Sequence, residues 1–428
     1  MLGALANAWR VPELRQKLVF TAVMIALYRL GAWIPLPGIN RDALATGAQT
    51  GGNAITGLFG VFTGGAFNHF SIFSLGIMPY ITAAIVMQLL TVAIPRLQEL
   101  AKEGDTGQQK ITQYTRYFTL VLAFLQSIAL SLYLRSGQLG DVVSGSTPID
   151  LFLIILTLTT GVMLTMWLGE LITERGLGNG ISLIITASII SRAPTAIQTL
   201  YENGSILNVV LLLIIAVLIV AAIVFVNEGQ RRIPITYAKR QVGRRMSQGG
   251  TTYLPLKVNM AGVIPIIFAS SLLIFPVVLG QLAAGGNQDG ILYRVSHFFS
   301  PGTTPYLILF AMLILMFTYF YTAVQFNPIE HADNLKKSGG YIPGIRPGQP
   351  TALYLNGVLT RITLFGALFL AAIAVLPYLV TNAIPGIPNS IFLGGTSMLI
   401  VVGVSLDTVR QLESQLMMRN YEGFLRKR

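Results

Sequence analysis

The sequence predicts an all-α polytopic membrane protein with ten transmembrane helices in two inverted five-helix halves. Three observations lead to this fold class: the composition, the spacing of apolar runs and the distribution of basic residues. Of the 428 residues, 53% are hydrophobic and only 11% are charged, and the mean hydropathy is +0.66. Soluble globular domains carry about 25% charged residues, so this composition is typical of a membrane protein.

Apolar runs near the length that crosses a bilayer, about 20 residues, recur along the whole chain. The predicted spans cover residues 18–36, 72–94, 118–134, 151–169, 181–201, 206–226, 260–284, 305–326, 362–380 and 391–406. The first run is not followed by a small-residue cleavage site and leads directly into further spans, so we do not expect a removable signal peptide.

The basic residues predict the orientation of the chain. With ten spans, all but five of the 29 Lys and Arg fall in the N-terminal segment, the even-numbered loops or the C-terminal tail. The exceptions are Arg29, Arg41, Arg135, Arg192 and Arg294. The positive-inside rule therefore predicts that both termini lie in the cytoplasm. Arg192 and Pro194 interrupt the fifth span, but omitting this span would place the seven Lys and Arg between residues 231 and 257 on the opposite side from the basic N-terminal loops.

The ten spans divide into an N-terminal half, residues 1–201, and a C-terminal half, residues 202–428. Because each half holds five spans, the two halves enter the membrane in opposite orientations, which is the arrangement of inverted repeats. No internal sequence identity is visible, so the architecture fits a repeat without demonstrating one.

Two predicted cytoplasmic loops, about residues 228–257 and 328–358, are much longer than ordinary connections. In the first loop, the alternation of apolar residues at Ile233 and Ile235 predicts a β-ribbon with a basic tip. The second loop predicts a short helix and then a Gly/Pro turn that carries Arg346. Both loops are either solvated orientation signals or docking surfaces, and their length favours docking.

Residues and motifs that would support catalysis are missing from the sequence. The chain has no cysteine, its three histidines are scattered, and nucleotide-binding, zinc-protease and serine-hydrolase motifs are absent. We therefore predict no enzyme activity, no metal site and no cofactor.

Charged residues are also missing from the spans. The interiors of spans two to ten contain no Asp, Glu or Lys, and Arg192 is their only Arg. Glu170 and Asp407 fall at predicted cytoplasmic ends, where we expect carboxylates to stay hydrated. Ion-coupled transporters need ionisable groups near the middle of the membrane, so we expect the energy for any transport to come from elsewhere.

Three uncharged tracts are candidates for function. Residues 56–76 are apolar yet hold five glycines, and they form either an outer loop or a re-entrant element, which must be buried in protein or line a cavity. Two pairs of isoleucines, each one helical turn apart, serve either ordinary packing or an apolar constriction. These pairs are Ile77 with Ile81 and Ile181 with Ile185. Glycines in the string ERGLGNGIS permit close approach, a hinge or a tight turn. They are Gly176, Gly178 and Gly180.

Several strings, taken together and in order, resemble the SecY family, the central subunit of the bacterial protein-conducting channel. They are SLGIMPYITAAIVMQLL, MWLGELITERGLGNGIS, LPLKVNMAGVIP, FNPIEHADNLKKSGGYIPGIRPG and GGTSMLIVVGVSLD. The resemblance implies a clam-like channel of two hinged halves. It also implies a passive conduit that translocates unfolded secretory polypeptides across the bacterial cytoplasmic membrane and releases signal and transmembrane helices laterally into lipid.

The resemblance implies several groups of site residues. A re-entrant plug helix, over about residues 54–66, includes Gly57, Leu58, Phe59, Gly60, Val61, Phe62, Gly64 and Gly65. A pore ring consists of Ile77, Ile81, Ile181, Ile185, Ile267 and Ile400. A lateral gate lies between the second and seventh spans, where a weak polar latch is one interpretation and bonding to the helix's own backbone is the other. Its polar residues are Gln88, Asn259, Ser270 and Ser271. The motor and ribosome docking residues are Lys239, Arg240, Arg244, Arg245 and Arg346.

The resemblance also implies partners. These are the SecE and SecG membrane subunits, the SecA motor ATPase, the ribosome, and secretory preproteins with their signal sequences. The net charge of +12 suits anionic lipids as well, and we expect no DNA partner. The alternative function is an inverted-repeat secondary transporter of small solutes, and a membrane enzyme is the third.

Overall fold

The structure is a computed structural model that describes most of the chain. The described residues are 9, 11–39, 63–67, 69–135, 147–203, 206–237, 240–242, 245–247, 250–273, 298, 303–383 and 395–425. The predicted plug residues from Gly57 to Phe62, together with Lys239 and Arg244, lie outside the described residues.

A helix lies at the position of each of the ten predicted spans. The first half of the chain forms α1 (Pro12–Gly31), α2 (Met78–Ala93), α3 (Pro95–Lys102), α4 (Asp105–Arg135), α5 (Pro148–Arg175) and α6 (Gly180–Asn203). The second half forms α7 (Ile206–Glu228), α8 (described over Ile264–Leu273), α9 (Thr304–Gln325), α10 (Pro328–Lys337), α11 (Gln349–Ala383) and α12 (Gly395–Leu425). The short helices α3 and α10 are additional and lie between spans.

Length and hydropathy support the membrane assignment. Among the described residues, five helices are by themselves long and apolar enough to cross a bilayer, namely α4, α5, α7, α9 and α11. A sixth span results if α2 and α3, which are bent by 99° relative to each other, are counted together. The remaining predicted spans correspond to α1, α6, α8 and α12, whose described helices are shorter or more polar.

Several predicted spans have different bounds in the structure, for example the second and the third. The second was expected to begin at residue 72, but residues 72–77 form turns and α2 begins only at Met78. The third was expected to begin at residue 118, whereas α4 begins at Asp105. Hydropathy marks only the apolar part of a helix, and α4 continues beyond it as a polar helix.

The largest hydrophobic cluster joins the two predicted halves. Its fully buried side chains come from both, for example Tyr28 and Ile154 from the first and Phe310 and Leu399 from the second. By contrast, only 17% of the apolar window of α7 is buried. A helix that is hydrophobic on all sides and yet exposed fits a lipid-facing position.

The two long loops form one small domain. Strand β1 (Gln230–Tyr237) pairs antiparallel with the strand Thr251–Lys257, which confirms the predicted ribbon. The tip of this ribbon contains β2 (Arg240–Val242) and β3 (Arg245–Ser247), so Thr251–Lys257 is β4. The second loop contributes β5 (Gly340–Tyr341), which pairs with the other edge of β1 and gives the strand order β4-β1-β5. This pairing was not predicted.

A separate apolar cluster lies under this sheet. It contains Ile233, Leu256, Phe326, Ile342, Leu355 and Leu359. Residues from both loops and from the start of α11 therefore share one core, so the two loops are a single structural unit, which we name the loop domain.

Candidate functional site

The six isoleucines predicted to form a ring all belong to the central cluster. Five of them are 5% exposed or less, and Ile181 is half-buried and packs against the cluster. They come from four helices of both halves, since Ile77 and Ile81 belong to the start of α2, Ile181 and Ile185 to α6, Ile267 to α8 and Ile400 to α12. All six therefore lie in or against one buried core, and their arrangement as a ring stays a prediction.

Local sequence positions the first pair at the start of α2. Ile77 is the N-cap residue, and the backbone N–H of Ile81 donates to its carbonyl oxygen at 3.1 Å, so the two side chains lie one turn apart on the same face. Gly76 precedes them with a φ of 55°, a conformation that glycine adopts without steric cost.

Close packing between helices positions the second pair. A Cβ added at Gly180 would overlap the carbonyl oxygen of Gly169 in α5 and would lie 2.7 Å from Ile172 Cβ. The side-chain oxygen of Asn179 caps α6 by accepting from the N–H groups of Ile181 and Ser182, at 3.1 and 3.2 Å. Of the alternatives for the glycines in ERGLGNGIS, the structure thus shows close approach at Gly180.

Gly178 and Gly176 serve the same turn. Gly178 has a φ of 76°, and an added Cβ there would lie 3.1 Å from Thr408 Oγ1 in α12. An added Cβ at Gly176 would lie 2.5 Å from Thr21 Oγ1 in α1. The turn therefore packs between α1 and α12.

The C-terminal part of the predicted plug is described from Thr63 onwards, together with Phe67. Gly64 and Gly65 have φ values of 64° and 87°. The carbonyl oxygen of Gly64 accepts from Arg29 Nη1 at 3.2 Å and lies 3.3 Å from Ser191 Oγ. Thr63 lies against Gly76, where an added Cβ would be 2.9 Å from Thr63 Cγ2, so this segment touches the residue directly before Ile77.

A short β-bridge joins the two ends of the loop between α1 and α2. The N–H of Leu36 donates to the carbonyl of Phe70 at 2.9 Å, and the N–H of Ile72 donates to the carbonyl of Ile34 at 3.0 Å. Pro35 and Ser71 form the bridge itself. The chain therefore leaves this point and returns to it, which closes a loop that contains the whole predicted plug.

The predicted lateral-gate residues are all described, and three of them are buried. Ser270 donates to the carbonyl oxygen of Ile267 at 2.9 Å. For this residue the structure thus shows bonding to the helix's own backbone, the alternative to a polar latch. Asn259 donates to Asn227 Oδ1 of α7 at 2.9 Å. Its own Oδ1 and Ser271 Oγ are buried without a partner among the described residues. Gln88 makes no hydrogen bond to any other described residue, so a latch between α2 and α8 stays a prediction.

Arg346 is exposed on the turn that follows β5. The N–H of Ile345 donates to the carbonyl of Ile342 at 3.0 Å, and Gly344 has a φ of 80°, as expected for a Pro-Gly turn. Of the other predicted docking residues in the described part of the chain, Arg240 is opposite Ser247 and Arg245 is opposite Val242 in the hairpin of β2 and β3.

Glu170 was expected to be hydrated, and this expectation was wrong. Its carboxylate accepts from Arg116 Nε at 2.9 Å and pairs with Arg116 Nη2 at 2.8 Å, a two-point contact between α4 and α5. The Glu170 side chain is only 14% exposed. Arg116 lies just outside the predicted third span, so hydropathy alone gave no reason to bring the two residues together. Asp407 is exposed, as expected.

A polar cavity of about 420 Å³ opens on the side of the bundle that carries the loop domain. Residues from α6, α7, α8, α9 and α12 line it, together with residues that precede α6 and α8. Its polar lining residues include Asn179, Asn227, Asn259, Asp407 and Arg410. Ile264 and Val404 also line it and belong to, or pack against, the central cluster. The cavity thus reaches the edge of the central cluster.

Together these features define a class of protein: a polytopic helical membrane protein with a buried apolar core shared by both halves, a cavity on one side that reaches this core, and a glycine-rich loop that is closed at its base. A family model named SecY matches residues 71–409. The protein translocase subunit SecY of Mycobacterium tuberculosis is 46% identical over 441 residues, and that of Streptomyces galbus is 47% identical over 440 residues. Each alignment covers 100% of both chains. The chain belongs to the SecY family.

Solved structures show the same fold. One is the structure of a protein-conducting channel, with a TM-score of 0.64 and 18% identity, and another is Sec61 in the canine ribosome–channel complex from the endoplasmic reticulum, with a TM-score of 0.61 and 18% identity. Each comparison covers 94% of this chain and 92% of the other. This likeness confirms the predicted channel architecture.

Proposed function

We propose that the chain is the central channel subunit of a bacterial protein translocase. It conducts unfolded secretory polypeptides across the cytoplasmic membrane and releases signal and transmembrane helices sideways into lipid. Membership of the SecY family supports this function. The structural observation that supports it is the burial of Ile77, Ile81, Ile185, Ile267 and Ile400 in the central cluster, with Ile181 packed against this cluster and the cavity reaching it.

The isoleucines act as a gasket. An apolar constriction excludes water and ions, because hydrating such a narrow neck is unfavourable. Apolar side chains offer no hydrogen bonds that would select one polypeptide sequence over another, so the gasket fits around many different substrates. The near-complete burial of five of the six side chains supports a resting state in which they seal against one another.

The plug and the lateral gate complete the proposed mechanism. The plug, about residues 54–66, closes the outer funnel at rest, and the contact between Thr63 and Gly76 supports its position beside the ring. The lateral gate opens between α2 and α8, and a signal helix then leaves by transfer of apolar surface from water into lipid.

The driving force comes from outside the chain, which acts as a passive conduit without an enzymatic activity of its own. The loop domain offers the docking surface for the SecA motor or the ribosome, through Arg346 and the basic tip at Arg240 and Arg245. Basic residues suit ribosomal RNA, and the canine Sec61 relative was solved with a ribosome. Both termini lie in the cytoplasm, and SecE, SecG and anionic lipids surround the bundle. A secondary transporter is not favoured, since the close relatives are translocase subunits.

Crosslinking tests the proposal directly, because the chain has no cysteine of its own. A secretory polypeptide with one mid-chain cysteine is stalled during translocation, and disulfide formation is measured with Ile267→Cys. The matched control is Leu213→Cys on α7, a side chain that is 63% exposed on the outside of the bundle. We expect a crosslink at Ile267 and none at Leu213. Equal crosslinking, or none at either position, would mean that the polypeptide does not pass through this bundle.

A further inference from the structure

The carbonyl oxygen of Gly64 is contacted from two different helices. Arg29 Nη1 in the last turn of α1 donates to it at 3.2 Å. Ser191 Oγ of α6 lies 3.3 Å away, but its single proton also serves the shorter bond to the Ser188 carbonyl oxygen at 2.7 Å. The Arg29 bond is charge-assisted, and such bonds are stronger than those between neutral groups. The C-terminal end of the predicted plug is thus bonded to α1 and lies against α6.

The space around Gly64 admits only glycine. A Cβ added there would lie 2.8 Å from Ser188 Cα and 2.9 Å from the Ser188 carbonyl oxygen, which are backbone atoms that cannot move aside. The φ of 64° is a conformation that residues with a Cβ rarely adopt. Gly64 is therefore seated against the backbone of α6.

The side chains near Gly64 are closely packed and hydrogen-bonded. Tyr28 is 1% exposed, its hydroxyl is hydrogen-bonded to Ser188 Oγ at 2.9 Å, and its ring stacks on Phe73 with centroids 5.5 Å apart. Arg29 follows Tyr28 directly, so the contact that joins α1 to α6 is adjacent to the backbone that carries the guanidinium.

The location of Arg29 needs an explanation, because it is one of five basic residues on the predicted outer side of the membrane. The positive-inside rule disfavours a cation there. Arg192 is a second such residue, one position beyond Ser191, and its side chain makes no hydrogen bond or ion pair within the described part of the chain. Arg29 therefore makes a structural contact that Arg192 does not make within the described part of the chain.

We propose that Arg29 and Ser191 form a socket for the Gly64 carbonyl that anchors the plug at its C-terminal end and so stabilises the resting channel. Arg29 is a positioning residue, since it acts by holding the backbone at this end of the plug. This inference rests on the proposed plug function, but the socket itself is measurable without it.

The test uses the full-length chain in lipid nanodiscs and in planar bilayers. Hydrogen–deuterium exchange is followed in the peptide over residues 63–74, where the N–H of Ser71 donates to the Ala66 carbonyl at 3.0 Å and the N–H of Phe67 donates to Thr63 Oγ1 at 3.3 Å. We expect Arg29→Gln to speed this exchange about tenfold, the effect of losing one bond to a charged group. Arg29→Lys should restore part of the protection. Arg192→Gln, with the same loss of charge, should leave it unchanged.

Exchange in the hairpin of β1 and β4 reports on the fold of each variant. Equal exchange in Arg29→Gln and wild type, or equal acceleration in Arg192→Gln, overturns the socket. Resting ion leak is measured in parallel, with deletion of residues 56–62 as the reference. If the deletion raises the leak and Arg29→Gln does not, the plug function stands and the anchoring role fails. If the deletion leaves the leak unchanged, the plug function fails, and the exchange data still decide the socket.

Discussion

Replacing two ring isoleucines by serine should make the resting channel leak ions. The perturbation is the double variant Ile81→Ser/Ile267→Ser, with side chains that are 4% and 5% exposed in the wild-type structure. Full burial of an isoleucine contributes about 1.5–3 kcal/mol, and at this exposure nearly the full amount applies. Each substitution therefore lowers the cost of wetting the constriction by about 2 kcal/mol, which raises the wetted fraction by about 30-fold at each position.

The assay is the conductance of purified, reconstituted channels in a planar bilayer without substrate. The matched control is Ile154→Ser in α5, since this side chain is 0% exposed and belongs to the same cluster but has no place in the proposed ring. We expect the control to lower the thermal stability without raising the conductance. An unchanged conductance in the folded double variant, or an equal rise in the control, would refute the gasket.

Three further predictions concern contacts that the structure shows. Gly180→Ala should destabilise the protein by about 1–3 kcal/mol, because the new methyl group meets the Gly169 carbonyl; an unchanged unfolding temperature would contradict this. Glu170→Gln should lower the free energy of unfolding by about 1 kcal/mol. This loss should disappear in high salt, since Arg116 is 41% exposed, and thermal unfolding at two salt concentrations measures it. Tyr341→Pro should separate β5 from β1, and limited proteolysis would then cut the second loop faster, whereas identical cleavage would show that the pairing contributes little.

Local sequence patterns predicted the helices and singled out four of the six isoleucines of the proposed ring. Apolar runs placed all ten spans, and alternation at Ile233 and Ile235 predicted the ribbon, because these patterns depend on neighbours close in the chain. Ile267 and Ile400 came only from family motifs. Nothing in their immediate surroundings distinguishes them from other membrane isoleucines.

Contacts between distant segments could not be predicted in this way. The pairing of Thr236 with Tyr341 and the ion pair of Arg116 with Glu170 each join residues from separate parts of the chain. The sequence around a polar residue near a span end does not indicate its partner. Glu170 was therefore expected to be hydrated. The contact of Arg29 with Gly64 likewise joins distant segments, so local sequence did not predict it.

The shared sheet has a mechanical consequence. A pull on the second loop is transmitted through β5 to β1 and then to β4, whose last residue, Lys257, is only a few residues before α8 and its Ile267. The carbonyl of Val258 lies against Gly366 of α11, where an added Cβ would be 2.5 Å away, so this connection has little slack. A force that a partner applies to either loop is therefore transmitted directly to the seventh span.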